Sequence, residues 1–140
     1  MIDTLDYSGD GLNEGSKVVI AAAGDIKRTL SESLPNINLP TGFSTPQLVS
    51  NGNLIIEGKE KVEELISFLE KQNIEGIGLI TLVDDASFVS EKFSNWLWVT
   101  FTRSNPANDI YGLNTEYSNK HFSCTVPIID ARIKPHHAPV

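Results

Sequence analysis

Paired carboxylates stand at one place in the sequence where chemistry is possible. Asp84-Asp85 directly follows the apolar run Leu79–Val83. At the end of a buried strand of an α/β sheet, two carboxylates could hold a divalent cation or transfer protons. They could equally cap the turn and the helix that follow, because aspartate accepts hydrogen bonds from the first backbone N–H groups of a helix. We favour the capping interpretation, since no third ligand lies nearby in the sequence.

A histidine and the only cysteine form a second candidate. His121 and Cys124 lie in one short segment and could supply the thiolate nucleophile of a small hydrolase or half of a metal site. Two ligands do not make a zinc site, and a lone cysteine is most often a small buried hydrophobic residue, which is the interpretation we favour. His136-His137, near the C-terminal end, could contact an acidic partner surface or simply be solvated, and we take solvation as the default.

Two further patterns would bind nucleotides or bases if they were complete. Gly24 follows an apolar run and could begin the phosphate-binding N-terminus of a helix, but a dinucleotide fingerprint has three glycines, and Asp25 would repel an anion. We therefore favour the interpretation that Gly24 makes a turn and Asp25 caps the helix that follows. Trp96, Trp98 and Phe101 could form a stacking platform, yet no basic residues are interleaved with them, which favours a core helix.

The composition narrows the function classes. The chain has 140 residues, with 11 Lys+Arg against 18 Asp+Glu and a net charge of −7. An acidic balance argues against nucleic acid as a partner, and no apolar run approaches the roughly 20 residues that span a bilayer. One cysteine and an acidic N-terminal segment fit a cytoplasmic protein without a signal peptide. The length predicts one domain over residues 1–140, large enough to bury a core.

Hydrophobic patterning predicts strands and helices in alternation. Residues 17–23 are continuously apolar after Lys17, which is typical of a strand covered on both faces, and residues 26–34 continue at helical spacing. Residues 59–73 carry apolar side chains at i, i+3, i+4 and i+7 and predict the clearest helix. Leu79–Val83 predicts a second buried strand, and residues 88–103 favour a helix that ends before Pro106. A helix followed by a strand suggests an α/β crossover.

The remaining segments predict irregular structure. Residues 1–15 form an irregular lead-in, and residues 34–53 form a long loop because they contain three prolines and two glycines. Residues 110–117 and 121–126 are short strands or ordered loops. Residues 128–140 are predicted to be an extended tail. A loop as long as 34–53 tends to be functional or to pack against something outside the segment.

Several segments, in order along the chain, resemble the C-terminal region of the UbiD family of prenylated-flavin-dependent decarboxylases. They are residues 15–24 with Arg28 and Leu30, Gly42-Phe43, residues 79–85, residues 96–110 and residues 129–135. The strongest is the aromatic segment that leads into Arg103, Pro106 and Asp109, and the last contains Asp130, Ala131 and Lys134.

The resemblance implies an α/β domain in three layers with a mainly parallel or mixed sheet. It implies a carboxy-lyase parent that acts on an aromatic acid, such as a polyprenyl-hydroxybenzoate of ubiquinone biosynthesis, through prenylated FMN and a divalent metal. The flavin, metal and catalytic residues of the family lie in earlier segments, so we expect no catalytic, cofactor-binding or metal-binding residue here. Five family-motif residues are expected to be structural or inter-domain: Arg103, Pro106, Asp109, Asp130 and Lys134.

The expected role is therefore assembly. The resemblance implies a fragment that is inactive alone, has the remaining domains of the parent enzyme as partners and takes part in a homo-oligomer. We expect residues 109–120 to face the active-site cleft of the intact enzyme. The alternative is a free-standing acidic α/β module that binds a partner or a small ligand, and a small hydrolase using Cys124 and His121 is a third possibility.

Overall fold

A five-stranded mixed sheet forms the centre of the computed structural model, which describes residues 1–5 and 15–137. Its strands are β3 (Phe43–Ser50), β4 (Asn53–Gly58), β5 (Leu79–Val83), β6 (Ile110–Leu113) and β9 (Val126–Asp130). The strand order is β3-β4-β5-β9-β6, in which β4, β5 and β9 are parallel and the two edge strands are antiparallel to their neighbours. The predicted α/β fold with a mixed sheet is confirmed.

Helices cover both faces of this sheet and make it the middle of three layers. One face, which includes Leu54, Ile80 and Ile128, packs against α1 (Val62–Leu69). The other face, which includes Ile55 and Val83, packs against α2 (Ala86–Glu91) and α3 (Phe93–Arg103). Successive strand residues point to opposite faces, so a strand covered on both sides must be apolar at every position. This explains why β5 is apolar apart from Thr81, whose buried hydroxyl accepts a hydrogen bond from the Trp96 ring N–H.

The helices follow the predicted pattern with two differences. The helix predicted over residues 59–73 is confirmed as the shorter α1. The helix predicted over residues 88–103 is divided at Lys92, whose backbone is extended, into α2 and α3. Pro106 then begins the short helix α4 (Pro106–Asp109). The chain ends α3 before this proline because the residue preceding proline is pushed out of the helical region.

The predicted loop over residues 34–53 is wrong in its second half, which forms β3 and the start of β4. Pro46 misled the prediction, because proline is excluded only from central strands and β3 lies at the sheet edge. A register shift between Ser44 and Gln47 accommodates Thr45 at a φ of 53°. Asn51-Gly52, with Gly52 at a φ of 66°, makes the hairpin turn, which is the sequence signal that the proline content obscured.

The predicted tail over residues 128–140 is also wrong at its start. Ile128–Asp130 belong to β9, an interior strand between β5 and β6. Pro127 lies opposite Gly112 of the neighbouring β6. Residues 131–137 carry no helix or strand, and residues 138–140 lie outside the described part. Of the two alternatives left open for residues 110–117 and 121–126, short strands or ordered loops, the structure contains short strands: β6, β7 (Glu116–Ser118) and β8 (His121–Ser123), the last two forming a hairpin.

The N-terminal segment differs most from its prediction. Only Lys17–Val18 form a strand, β2, which pairs with β1 (Ile2–Asp3) in a separate two-stranded sheet. Residues 19–23 belong to no strand, and residues 26–34 form no helix. Part of the predicted lead-in, residues 6–14, lies outside the described residues.

A physical reason for the absent helix is visible at Ser31. Its N–H donates to Gly76 O at 2.8 Å, and its carbonyl accepts from Gly52 N–H at 2.8 Å, so the strand-connecting loops occupy the groups that a helix would bond internally. Arg28 adds hydrogen bonds to Ile77 O and Thr125 O. The segment therefore crosses the amino ends of the strands as an extended strap.

Candidate functional site

All five family-motif residues come together at the carboxyl ends of the parallel strands. Asp130 is the last residue of β9 and Lys134 lies in the loop that follows. Arg103 ends α3, Pro106 begins α4 and Asp109 ends it. We call these five, together with Arg132, the carboxyl-end cluster.

Lys134 is the centre of the cluster. Its Nζ donates to three backbone carbonyls, Asp130 O at 2.8 Å, Arg103 O at 2.9 Å and Arg132 O at 3.1 Å. It also lies 3.5 Å from Asp109 Oδ2, and its side chain is only 16% exposed. An ammonium group has three N–H donors, and the three carbonyls use them all. Lys134 therefore ties β9 to α3 and α4 and has no donor left for a ligand.

Asp130 and Arg132 form the second connection. Arg132 Nε donates to Asp130 Oδ1 at 2.9 Å and Nη2 to Oδ2 at 2.8 Å, a bidentate pair. Arg132 Nη1 reaches Gly58 O and Glu60 O at the end of β4. Burial alone would raise the pKa of Asp130, but the hydrogen bonds and charge of Arg132 outweigh it and hold that pKa below the ordinary value. The pair is charged and joins the ends of β9 and β4.

Hydrogen bonds within α4 and from the N-terminal segment also fix the short helix α4. Asp109 Oδ2 accepts a hydrogen bond from Asn105 N at 2.6 Å, which closes the helix on itself. Ala107 N donates to Ser16 Oγ at 2.8 Å, and Ser16 also hydrogen-bonds to Asn105. Pro106 is buried at the first turn, where its missing N–H costs nothing. These contacts anchor the N-terminal segment next to the cluster.

The aspartate pair is divided between two structural tasks. Asp85 Oδ1 accepts from Phe88 N at 3.0 Å and caps α2, as the favoured interpretation predicted. Asp84 Oδ2 accepts from Ile133 N at 2.8 Å and lies 3.4 Å from Arg103 Nη1. In residues 1–5 and 15–137, no group of three or more His, Cys, Asp or Glu side chains is placed to hold a metal ion.

The other sequence candidates are not brought into one site. Cys124 is half-buried, and burial raises the pKa of its thiol, which does not suit a nucleophile. No hydrogen bond joins it to the exposed His121 in the described part of the chain. His137 Nδ1 accepts from Lys134 N at 3.1 Å, and its ring contacts His136. No helix follows Gly24, so the phosphate-binding possibility lacks its helix N-terminus.

The aromatic residues of α3 divide between core and surface. Trp96 is buried and its Nε1 donates to Thr81 Oγ1 of β5 at 3.0 Å. Trp98 is 68% exposed, and Phe93, Leu97 and Phe101 are exposed beside it. The core interpretation is thus confirmed for Trp96 alone, and α3 is apolar on its outer face too.

Local sequence patterns missed a cavity of about 770 Å³ beside β6 and β9. Its walls come from the β1–β2 pair, from α4 and from the β7–β8 hairpin, and they include Ile20, Ile129, Tyr117, Lys120 and Phe122. Asn119 and Lys120, with φ of 49° and 66°, form the tight hairpin turn. The position of the cavity depends on tertiary packing between distant segments. Its one local signal in the sequence was the pattern of the short β7–β8 strands.

None of the helices described is long and apolar enough to cross a membrane.

No family model matches the chain. It is similar, at 33% identity over 134 residues, to an uncharacterized protein of Chlamydia trachomatis, and the match covers 95% of this chain and 23% of that protein. A protein of Chlamydia pneumoniae that is named as a subunit of 4-hydroxybenzoate decarboxylase is 31% identical over the same length, with the same coverage.

Among solved structures, an evolved dimeric form of the UbiD-class enzyme HmfF from Pelotomaculum thermopropionicum, in complex with prFMN, is similar over 63% of this chain and 19% of that one. Its TM-score is 0.42 at 16% identity, which is too distant to carry an assignment. The chain spans less than a quarter of the length of the Chlamydia relatives. The resemblance to the UbiD-class decarboxylases is confirmed to this extent: the chain is similar to a segment of longer proteins, one of which is named as a subunit of 4-hydroxybenzoate decarboxylase.

Proposed function

We propose that this chain is a non-catalytic domain of a UbiD-class decarboxylase, where it joins the parts of the enzyme and shapes one wall of its active-site cleft. The observation that carries the proposal is a contrast between two kinds of residue. The charged family-motif residues are bonded within the chain, whereas large apolar residues remain uncovered at its surface.

The bonding of the carboxyl-end cluster supports a structural role. A residue that binds substrate or transfers protons needs a donor or acceptor directed at the reacting atoms. Lys134 spends its three donors on backbone carbonyls, and Asp130 is paired with Arg132 through both oxygens. The family motif in this segment thus stabilises the junction of β9, α3 and α4.

The uncovered apolar surface supports a role inside a larger protein. The outer face of α3 exposes four large side chains: Phe93, Leu97, Trp98 and Phe101. A contiguous apolar patch of this kind on a monomer marks an interaction surface more often than not. Its burial at about 25 cal/mol per Å² would stabilise the packing of another domain against α3.

The β7–β8 hairpin supports the cleft-shaping role. The rings of Tyr117 and Phe122 are in contact, with centroids 5.5 Å apart and planes tilted by 58°, and they line the cavity together with Lys120 and His121. Aromatic walls beside the ammonium group of Lys120 suit an aromatic acid such as a hydroxybenzoate. We propose that residues 109–120 present this wall to the cleft of the parent enzyme.

The cofactors belong elsewhere in the parent under this proposal. Prenylated FMN, with a divalent metal, supplies the electron sink for decarboxylation when it is bound, and its ligands lie in other segments. This chain orients domains and excludes water from the cleft. The resemblance further implies a homo-oligomeric enzyme of the cytoplasm that serves ubiquinone biosynthesis.

The test compares this chain with the same chain extended upstream in its own gene. Both are supplied with prenylated FMN and a panel of aromatic acids, and flavin retention and carbon dioxide release are measured. We expect only the extended protein to retain flavin and release carbon dioxide. If no upstream segment exists, or if the extended protein is equally inert, the proposal is wrong.

A second experiment isolates the hairpin. Shortening residues 116–123 to a two-residue turn in the extended protein should change the range of acids accepted while flavin retention stays intact. An unchanged substrate range and rate would remove the cleft-shaping role.

The cavity beside β6 and β9 favours a second candidate, a free-standing module that binds a small aromatic ligand. That function predicts that the chain alone binds aromatic acids and is stabilised against heat by them. The decarboxylase proposal predicts no such stabilisation of the chain alone.

A further inference from the structure

An exposed apolar segment follows β2. Val19 is 55% exposed and Ile20 64%, and the exposed alanines Ala21, Ala22 and Ala23 come next. The sequence predicts a strand covered on both faces here, yet among the described residues only the β1 segment pairs with it, at Val19, and residues 20–23 remain exposed. The covering element must then come from another molecule or another segment.

The backbone of this segment has one edge in use and one edge open. Val19 N donates to Met1 O at 2.8 Å, and Met1 N donates to Val19 O at 2.9 Å, so the polar groups of Val19 point toward β1. Because these groups alternate in direction along an extended chain, those of Ile20 and Ala22 point to the opposite edge. Within the described residues, no backbone hydrogen bond is made by residues 20–24.

Open strand edges are normally protected by charges, prolines or bulges. Between Lys17 and Asp25 the segment has none of the charges or prolines. Gly24, at a φ of 97°, bends the chain at the end of the segment. The edge is thus unprotected over residues 18–23, as expected of a strand that is covered in the working protein.

We infer that residues 19–23 pair antiparallel with the same segment of a second copy of this chain, across a two-fold axis at Ala21. This deepens the assembly role proposed above and rests on it. In this register Ile20 exchanges both backbone hydrogen bonds with the partner's Ala22, which uses the open edge. The result is a four-stranded sheet in the order β1, β2, partner β2, partner β1.

The side chains favour a second copy over any other occupant. Antiparallel self-pairing places Val19 opposite the partner's Ala23 and Ile20 opposite the partner's Ala22, so each large residue faces a small one. It also brings Lys17 of each copy to the end of the segment where the partner's Asp25 lies. Both residues are exposed, and neither makes an ion pair within the described residues. The segment is therefore self-complementary in size and in charge.

The first test measures the mass and the register. Sedimentation equilibrium of the chain, whose monomer is 15.4 kDa, should show a concentration-dependent dimer. In a Cys124→Ser background, Ala21→Cys should give a disulfide dimer with oxidised glutathione, since the two positions face each other at the axis. Ala23→Cys is the matched control, because its two copies would lie roughly 13 Å apart at ~3.3 Å per residue, beyond the ~7 Å Cα separation that a disulfide tolerates.

The second test uses the charges at the segment ends. Lys17→Glu and Asp25→Lys should each raise the dimer dissociation constant about tenfold, because each places like charges across the pair twice. An equimolar mixture of the two variants should recover a heterodimer, since every cross-pair is then of opposite charge. A variant that merely misfolds could not be rescued in this way.

The outcomes separate this inference from the proposed function. A monomeric chain, a dimer that does not cross-link through Ala21→Cys, or a mixture without recovery would each overturn the two-fold pairing. Flavin retention and carbon dioxide release by the extended protein would still decide the decarboxylase proposal independently.

Discussion

Replacement of Lys134 by methionine tests the structural role of the carboxyl-end cluster. The change removes hydrogen bonds from Nζ to the carbonyls of Asp130, Arg103 and Arg132 and the contact with Asp109. A hydrogen bond with a charged partner contributes about 1.5–3 kcal/mol. Methionine does not have to be desolvated as a charge, and water can reach part of the site, so the net loss should be smaller than the sum of three.

We expect Lys134→Met to lower the free energy of unfolding by about 3 kcal/mol. With a urea dependence of ~2 kcal/mol per molar for a chain of this size, the unfolding midpoint should fall by about 1.5 M. Lys71→Met is the matched control, because Lys71 is exposed just beyond α1 and its side chain makes no hydrogen bond or ion pair in the described part of the chain. It should change stability by less than ~0.5 kcal/mol.

Equal midpoints for the two variants would refute the reasoning. A Lys134 whose loss left stability unchanged but abolished flavin retention in the extended protein would be a ligand rather than a structural residue. Circular dichroism before each titration confirms that both variants start from the folded state.

Three further predictions follow from the same structure. Asp130→Asn should destabilise the protein by about 2–3 kcal/mol at neutral pH. Because folding lowers the pKa of this carboxyl group, the wild-type protein loses that stability as the pH falls below the ordinary value of 3.8. Urea titrations of the two proteins should therefore converge in acid, and a constant difference in stability would contradict the ion pair. Thr81→Val leaves the buried Trp96 Nε1–H without an acceptor and should lower the free energy of unfolding by about 1–3 kcal/mol. Thr100→Val is the control, because it removes a buried hydroxyl without a hydrogen-bond partner and should be neutral or slightly stabilising in thermal unfolding. Equal losses of stability in the two variants would argue against the Trp96 hydrogen bond. Cys124 should react with Ellman's reagent more slowly than free glutathione at neutral pH, since burial raises the pKa of its thiol, and a fast reaction would revive the hydrolase possibility.

Elements whose partners are close in sequence could be predicted from local patterns. The helical spacing around Leu65 and the apolar run Leu79–Val83 gave α1 and β5, because each follows from which faces must be buried. Asp85 as a cap and the end of α3 before Pro106 depend on backbone geometry within a few residues. These signals do not depend on the rest of the fold.

Proline content led the prediction astray where position in the sheet decides. Pro46 lies on an edge strand, which tolerates a residue without N–H. Pro127 is the second residue of β9 and lies before Ile128, where the pairing of β9 with β5 begins. The order of strands is a tertiary property, so no local pattern could show that β3 is an edge or that β9 lies in the interior. The same holds for Lys134, whose motif was recognised by resemblance but whose bonds depend on three distant segments.

The structure of residues 17–34 differs from its prediction for another reason. Their apolar pattern predicts a buried strand and a helix. Such a pattern reflects burial in the complete assembly, so part of it can remain exposed when one segment is considered alone. In the chain alone, Val19 and Ile20 are exposed and Ser31 is held by the loops at Gly52 and Gly76. A mismatch between an apolar pattern and an exposed segment thus indicates where a partner binds.

Reconstitution in trans tests the central claim most directly. The segment upstream of residue 1 in its own gene is produced separately, loaded with prenylated FMN and mixed with the 140-residue chain, and carbon dioxide release from 4-hydroxybenzoate is followed during titration. The account predicts that neither part is active alone and that activity rises with added chain to a stoichiometric plateau. Full activity of the upstream part without the chain, or decarboxylation by the chain alone, would contradict it.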